Sequence, residues 1–230
     1  MVLMTESRLP RPVLQALERF SAIRASRHPH IVPPEAIRAV VLVGSSASGK
    51  STMIRAIRDS DLVLRHRVVV PGRYITRTPR PDDIHGENIH VSDKEFDDLV
   101  RRGGIRVHWT KRIGTRHERY GFPSITGSLL PVYSGNNALL IRSSCLQPAN
   151  FLDSALVISV YAPPRVRASR LVERSPDLFR ERPDYVRSRL NDDGIRVLQL
   201  SHLVVDNYGR SESVAAAEMV QLLEVIHDCS

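Results

Sequence analysis

The chain has 230 residues, of which 42% are apolar. That is enough to build one α/β core of roughly 190 residues but too little for two full domains. The formal net charge is +8, carried by 33 lysines and arginines of which three are lysines (Lys50, Lys94, Lys111). No recognition helix, zinc-finger spacing or aromatic RNA-binding signature accompanies that charge, so no specific nucleic-acid partner is expected. Cys145 and Cys229 are too few for a disulfide framework, no apolar run approaches membrane-spanning length, and the start lacks a secretory pattern. These features predict a soluble, cytoplasmic protein with no membrane partner.

Residues 1–35 read as a helical appendage and linker ahead of a domain over residues 36–230. Val13, Leu14, Leu17, Phe20 and Ile23 recur at helical spacing behind Pro12, which predicts a helix over 12–25. It is expected to pack on the core or, in a homodimer, on a second copy of the chain. Residues 28–34 contain three prolines and read as an extended linker.

Ala39-Val40-Val41-Leu42-Val43 is a continuous apolar run, as a buried parallel strand requires. It is followed by Gly44-Ser45-Ser46-Ala47-Ser48-Gly49-Lys50-Ser51, which satisfies the phosphate-binding pattern G-x-x-x-x-G-K-[ST], and then by Thr52 and a helix-compatible stretch to residue 59. The glycines let the backbone N–H groups turn inward onto phosphate oxygens, and the helix N-terminus adds positive potential there. Lys50 is placed to reach the β- and γ-phosphates of ATP, and the Ser51 hydroxyl to ligate Mg²⁺. A flexible Gly/Ser loop that binds nothing is the alternative, and the strand–loop–helix context speaks against it.

Residues 67–71 and 73–76 are β-rich and are broken at Pro71-Gly72. Ser92-Asp93-Lys94-Glu95 is a capping box that predicts a helix through Phe96, Leu99 and Val100, ending at Gly103-Gly104. Residues 105–110 and 119–122 alternate like a small antiparallel piece. The apolar runs 138–141, 155–161 and 202–205 predict further strands of a parallel sheet, with helices over 165–173, 184–200 and 211–226. The β-α order with one insertion gives an α/β class, a parallel sheet flanked by helices. His85, His90, His108 and His117 match no zinc template, so no zinc site is expected.

The stretch Arg73-Tyr74-Ile75-Thr76-Arg77-Thr78-Pro79-Arg80 and its continuation to Asn88 resembles the acceptor-binding segment of guanylate kinases, T-T-R-x-P-R-x-G-E-x-x-G. It equally resembles the R-Y-[IV]-T-R run of ribose 1,5-bisphosphokinases. The likeness continues through Trp109, Tyr120-Gly121, Pro163-Pro164, the R-L-x-x-R run at residues 170–174 and Val204-Val205-Asp206-Asn207. It implies a P-loop NTPase fold with a small acceptor-binding insertion and an arginine-rich lid, using ATP and Mg²⁺ to phosphorylate a small acceptor that already carries phosphate.

By this resemblance Arg77 and Arg80 grip the acceptor phosphate and Tyr120 donates its hydroxyl to it; guanidinium forks suit such an anion. Apart from the resemblance, Asp82, Asp83 and Glu87 are candidates to help hold Mg²⁺ or bind acceptor hydroxyls, with plain solvated loop acids as the alternative; in the resemblance His108 takes the place of a guanine-reading Glu. Arg170, Arg174 and Arg189 fall in the lid, where closing cations offset charge on the transferred phosphoryl group. Asp206-Asn207 is either a border of the adenine pocket or a plain strand end. His108, Phe122-Pro123 and Ile141-Arg142-Ser143-Ser144 depart from the guanine-reading residues of guanylate kinases, which argues against guanosine monophosphate. The expected acceptor is ribose 1,5-bisphosphate or a similar phosphorylated sugar, with a nucleoside monophosphate as the alternative. A non-catalytic binding module is the rival from another class; such modules tend to lose the loop lysine, which is kept here.

Overall fold

The computed structural model describes residues 11–25, 37–65, 67–79, 83, 86–113, 116–141, 148–174, 176–181, 184, 187, 190, 194–209 and 212–229. In chain order the elements are α1 (Arg11–Leu17), β1 (Ile23–Ala25), β2 (Ala39–Val43), α2 (Lys50–Arg58), α3 (Asp61–Leu64), β3 (Val68–Val69), β4 (Arg73–Ile75) and β5 (Asn88–His90). They continue with α4 (Asp93–Arg101), β6 (Ile105–Ile113), β7 (Arg116–Pro123), β8 (Leu130–Ser134), α5 (Asn137–Ile141) and a 3-10 turn (Ala149–Ser154). The last are β9 (Ala155–Tyr161), α6 (Pro164–Arg174), α7 (Pro176–Glu181), α8 (Gly194–Gln199), β10 (Leu203–Asp206) and α9 (Glu212–Cys229).

The main sheet runs β1-β10-β9-β2-β8-β3, with every pairing parallel except that of β1 with β10. All five residues of β2 are buried because both faces of the sheet are covered. Val40 and Leu42 face one cluster with Met53, Ile54 and Ile57 of α2 and Met219, Leu222 and Ile226 of α9. Val41 and Val43 face the other, with Leu139 of α5, Val197 of α8 and the aromatic residues of β6 and β7. Period-two alternation along β2 thus joins two cores through one strand.

A second sheet, β5-β4-β7-β6, forms the insertion. Its inner face carries Trp109 stacked on Tyr120 at 5.5 Å, and Phe122 stacked on Tyr133 of β8 at 4.3 Å. The second pair fastens the insertion to the main sheet, and aromatic pairs of this kind add ~0.5–1.5 kcal/mol beyond their buried area. α4 covers the outer face, and its capping box is present in full: Ser92 Oγ accepts from the Glu95 N–H, and Glu95 accepts from the Ser92 N–H.

Two expectations are corrected. The helix predicted over 12–25 stops at Leu17, and Ile23–Ala25 adds an antiparallel edge strand to the main sheet, tied down by Ser21 and Ala22 N–H groups donating to Glu218. Residues 28–34 lie outside the described residues. The apolar run 138–141 is helix α5, because Asn136 Oδ1 accepts the Ala138 N–H and starts a turn. The strand beside β2 is instead Leu130–Ser134, which Pro131 disguised; pairing with β2 begins at Val132, so the missing N–H of Pro131 falls outside that ladder. α8 covers residues 194–199 of the helix predicted over 184–200, and most of residues 182–193 lie outside the described residues.

Candidate active site

The loop between β2 and α2 is held in a conformation that its glycines permit. Gly49 has φ +94, and a Cβ there would stand 1.8 Å from Asn207 Nδ2. Ala47 also has positive φ, at 60, an unusual conformation for a residue with a side chain and typical of functional loops. Beneath the loop, Asn207 Nδ2 donates to Ser48 O at 2.8 Å, and Arg170 Nη1 donates to Ala47 O and Ser48 O at 3.3 Å each. Arg170 Nη2 donates to Asn207 O at 3.1 Å. Ser45 Oγ lies 3.4 Å from Asn137 Nδ2; Ser46, in the loop, and Thr52, in the first turn of α2, are partly buried.

At the end of the loop Lys50 Nζ donates to Ser134 Oγ at 3.1 Å, across the β2–β8 pair. Burial, with the neighbouring Arg73 charge, pushes the Lys50 ammonium down to about 8, against the pull of Glu87. Ser51 Oγ donates to Glu87 Oε2 at 3.2 Å. Glu87 is 6% exposed, and its Oε1 is buried with no hydrogen-bond partner among the described residues. A buried carboxylate oxygen in that state is costly unless a ligand completes it.

The insertion supplies the facing wall. Arg73 opens β4; its Nε donates to Asn88 Oδ1 at 2.9 Å and its Nη1 to Ser134 O at 3.0 Å. Its guanidinium carbon stands 5.3 Å over the Tyr120 ring. Burial lowers the Arg73 pKa, with Tyr120 and Glu87 opposing. Arg77, four residues on, forms an ion pair with Asp83, whose other oxygen is 3.2 Å from His90 Nε2. Burial alone would lower the Arg77 pKa, but its hydrogen bond and charge pairing with Asp83 outweigh this and raise it. The Tyr120 hydroxyl donates a short hydrogen bond to Glu118 Oε2, and burial followed by that carboxylate raises the Tyr120 pKa.

Lys50, Ser51, Glu87 and Tyr120 therefore meet around one site, with Arg77 at its margin. His108 does not join them. It pairs with Gly121 on the face of β6 opposite Trp109, edge-on to Phe96 of α4 at 6.1 Å. Strand alternation separates it from Tyr120. Burial, then the Arg119 charge, lowers its pKa. Arg170 also departs from its expected place on the reacting phosphates, because its guanidinium is bonded to carbonyls under the loop. Arg174 is exposed at the end of α6. Arg80 and Arg189 lie outside the described residues, as do residues 142–144; the small polar strand end beside the loop is Ser134.

Sequence reasoning missed Arg73, Ser134 and Glu118 as site residues. Period-two alternation held the signal for Arg73, since Ile75 pairs with Tyr120 and Arg73 shares its face.

A strand, glycine-bearing loop and helix in a parallel sheet, with the loop lysine and serine facing an insertion rich in arginine, define a P-loop protein of the α/β class. No protein-family profile matches the chain. It is 33% identical to a ribose 1,5-bisphosphate phosphokinase of Ruegeria sp. (strain TM1040) over 136 residues, which cover 59% of this chain and 66% of that one. It is 38% identical to a guanylate kinase of Mycobacterium leprae over 81 residues, covering 35% of this chain and 36% of the relative. The crystal structure of a guanylate kinase from Anaplasma phagocytophilum aligns over 82% of this chain and 86% of its own, at 16% identity and a TM-score of 0.46. The matches thus span just under two thirds of the first relative's length and about a third of the second's. The chain is thus similar in sequence to both ribose 1,5-bisphosphate phosphokinases and guanylate kinases.

Proposed function

We propose that the protein is an ATP-dependent kinase that moves the γ-phosphoryl group of Mg-ATP to a small acceptor already bearing phosphate, with ribose 1,5-bisphosphate or a similar phosphorylated sugar as the leading acceptor. The observation that carries this reading is the meeting at Ser134 of Lys50, from the phosphate loop, and Arg73, from the insertion. One group serves a nucleotide donor and the other faces the acceptor side. Phosphoryl transfer is mostly positioning and charge stabilisation, and rigidly held cations provide both.

The residues present fit a magnesium ion. Mg²⁺ prefers hard oxygen ligands, and Ser51 Oγ stands beside the unpartnered Glu87 Oε1. Those two oxygens would hold it, and when bound it would offset charge on the β- and γ-phosphates. Lys50 would bind the same phosphates, while Arg170 and Asn207 keep the loop in shape from behind. The guanylate kinase relatives favour a second reading, a nucleoside monophosphate as acceptor. A screen for ADP release with ribose bisphosphates, sugar phosphates and all nucleoside monophosphates tests the proposal. It expects turnover with a phosphorylated sugar and little with its dephosphorylated form; a strong, exclusive preference for guanosine monophosphate would favour the second reading.

A further inference from the structure

Arg73 is a partly buried cation whose hydrogen-bond partners are neutral acceptors. Two of its guanidinium nitrogens are taken by Asn88 Oδ1 and Ser134 O, and the group lies over the Tyr120 ring. Among the described residues no carboxylate forms an ion pair with it, whereas Arg77 carries Asp83. Buried charges are ordinarily paired or hold a ligand, because desolvation is costly otherwise. Glu87, the nearby buried acid, is hydrogen-bonded to Ser51 and offsets Lys50 and Arg73 from a distance.

Resting on the kinase reading, we infer that Arg73 receives the acceptor phosphate that attacks ATP, and that Arg77 receives a second phosphate at the far end of the same acceptor. Lys50 and Arg73 both bond Ser134, so an anion held by Arg73 stands beside the terminal phosphoryl group held by Lys50. Arg73 and Arg77 are four residues apart, with β4 ending between them at Ile75, so their backbones are at most ~13 Å apart and long side chains leaning inward narrow the gap. A monophosphate engages one of these cations; a small molecule with phosphate at both ends engages both. An oxygen of the Arg73-bound phosphate attacks the γ-phosphorus, the bond to the β–γ bridging oxygen breaks, and its electron pair leaves on ADP. The attacking oxygen is already ionised, so no base is needed. The product carries a diphosphate at that end.

Trp109 is the chain's one tryptophan and stacks on Tyr120, whose ring Arg73 covers. Its emission therefore reports on anions reaching Arg73. With the loop filled by Mg-ADP, the full chain is titrated with ribose 1,5-bisphosphate and with ribose 5-phosphate. The wild type is expected to bind the bisphosphate at least about tenfold more tightly. Arg73→Gln should weaken bisphosphate binding about 10- to 100-fold, close to the monophosphate value, with Arg73→Lys between them and Mg-ADP affinity within about threefold of wild type. Thermal melts of both variants confirm folding. A folded Arg73→Gln protein that binds the bisphosphate as tightly as wild type, or a wild type with no preference for two phosphates, overturns the assignment. ADP formation from a nucleoside monophosphate by a chain that ignores the bisphosphate overturns it too, and leaves the kinase reading standing. Arg73-dependent bisphosphate binding without ADP formation from any acceptor supports the site and removes the kinase reading alone.

Discussion

Asn207 Nδ2 donates a 2.8 Å hydrogen bond to the carbonyl oxygen of Ser48, fixing the end of β10 to the underside of the phosphate loop. The contact is close enough that Gly49 has no room for a side chain. Gly49→Ala would set a methyl group 1.8 Å from Asn207 Nδ2 and force a positive φ on alanine. We expect a loss of at least ~2 kcal/mol in urea denaturation, together with loss of ATP binding. Gly49→Ala combined with Asn207→Ala should recover part of the stability, because the clash goes while the backbone strain of roughly 1 kcal/mol remains. Full recovery would show that the loop backbone is not strained there.

The Lys50 ammonium, lowered to about 8 from 10.5, makes nucleotide affinity depend on pH. Phosphate binding favours the charged form, so ATP affinity should be level below pH 8 and fall as pH rises through and above it. Calorimetry at a pH above 8 in buffers of different ionisation enthalpy should show proton uptake on ATP binding, and Lys50→Arg should abolish that uptake. The sign for folding is opposite. Between pH 8 and 10.5 the unfolded chain binds more protons at Lys50 than the folded chain, so this group's penalty, on the order of 3 kcal/mol, is relieved as pH rises across that window. Lys50→Met should remove that rise from the stability profile.

The phosphate loop was legible in the sequence because its chemistry requires fixed residues at fixed spacing. Lys50 and Ser51 stand where the pattern puts them, and the capping box at Ser92 formed as read. What stayed hidden came from pairings distant in sequence. β8 was obscured by Pro131, which is tolerated because pairing with β2 starts one residue later. Arg77 is legible as a cation and Asp83 as a candidate ligand, but their pairing with each other is not, since loop residues have no periodicity to follow. His108 was read by alignment alone; the register of β6 with β7 puts it on the outer face with Phe96. Arg170 was read as a lid residue because it lies in an R-L-x-x-R run, and only the packing of α6 against the loop carbonyls shows it as a brace.

Glu87→Gln keeps the shape of the side chain and removes its charge beside Ser51. We expect the magnesium concentration needed for half-maximal nucleotide binding to rise about tenfold, while binding of ATP without metal stays equal or improves. Equilibrium titration of Mg²⁺ against a fluorescent ATP analogue reads both. Unchanged magnesium dependence would separate Glu87 from the metal.

Arg170 and Arg174 lie one helical turn apart and should fail differently. Arg170→Ala removes three hydrogen bonds that shape the loop, so the KM for ATP should rise several-fold. Arg174→Ala should lower kcat far more than it raises that KM if the exposed arginine acts on transition-state charge. Steady-state kinetics of the two variants decide between these roles, and equal effects on KM would move Arg174 to ground-state binding.

Phosphorus NMR of a reaction mixture containing the protein, Mg-ATP and ribose 1,5-bisphosphate tests the central claim most directly. The kinase account predicts that the γ-phosphate signal of ATP disappears as ADP appears, with a new pair of coupled diphosphate resonances on the acceptor, and that Lys50→Ala abolishes all of these changes. ADP appearing with inorganic phosphate alone, or a spectrum that stays unchanged with every phosphorylated acceptor tried, would contradict it.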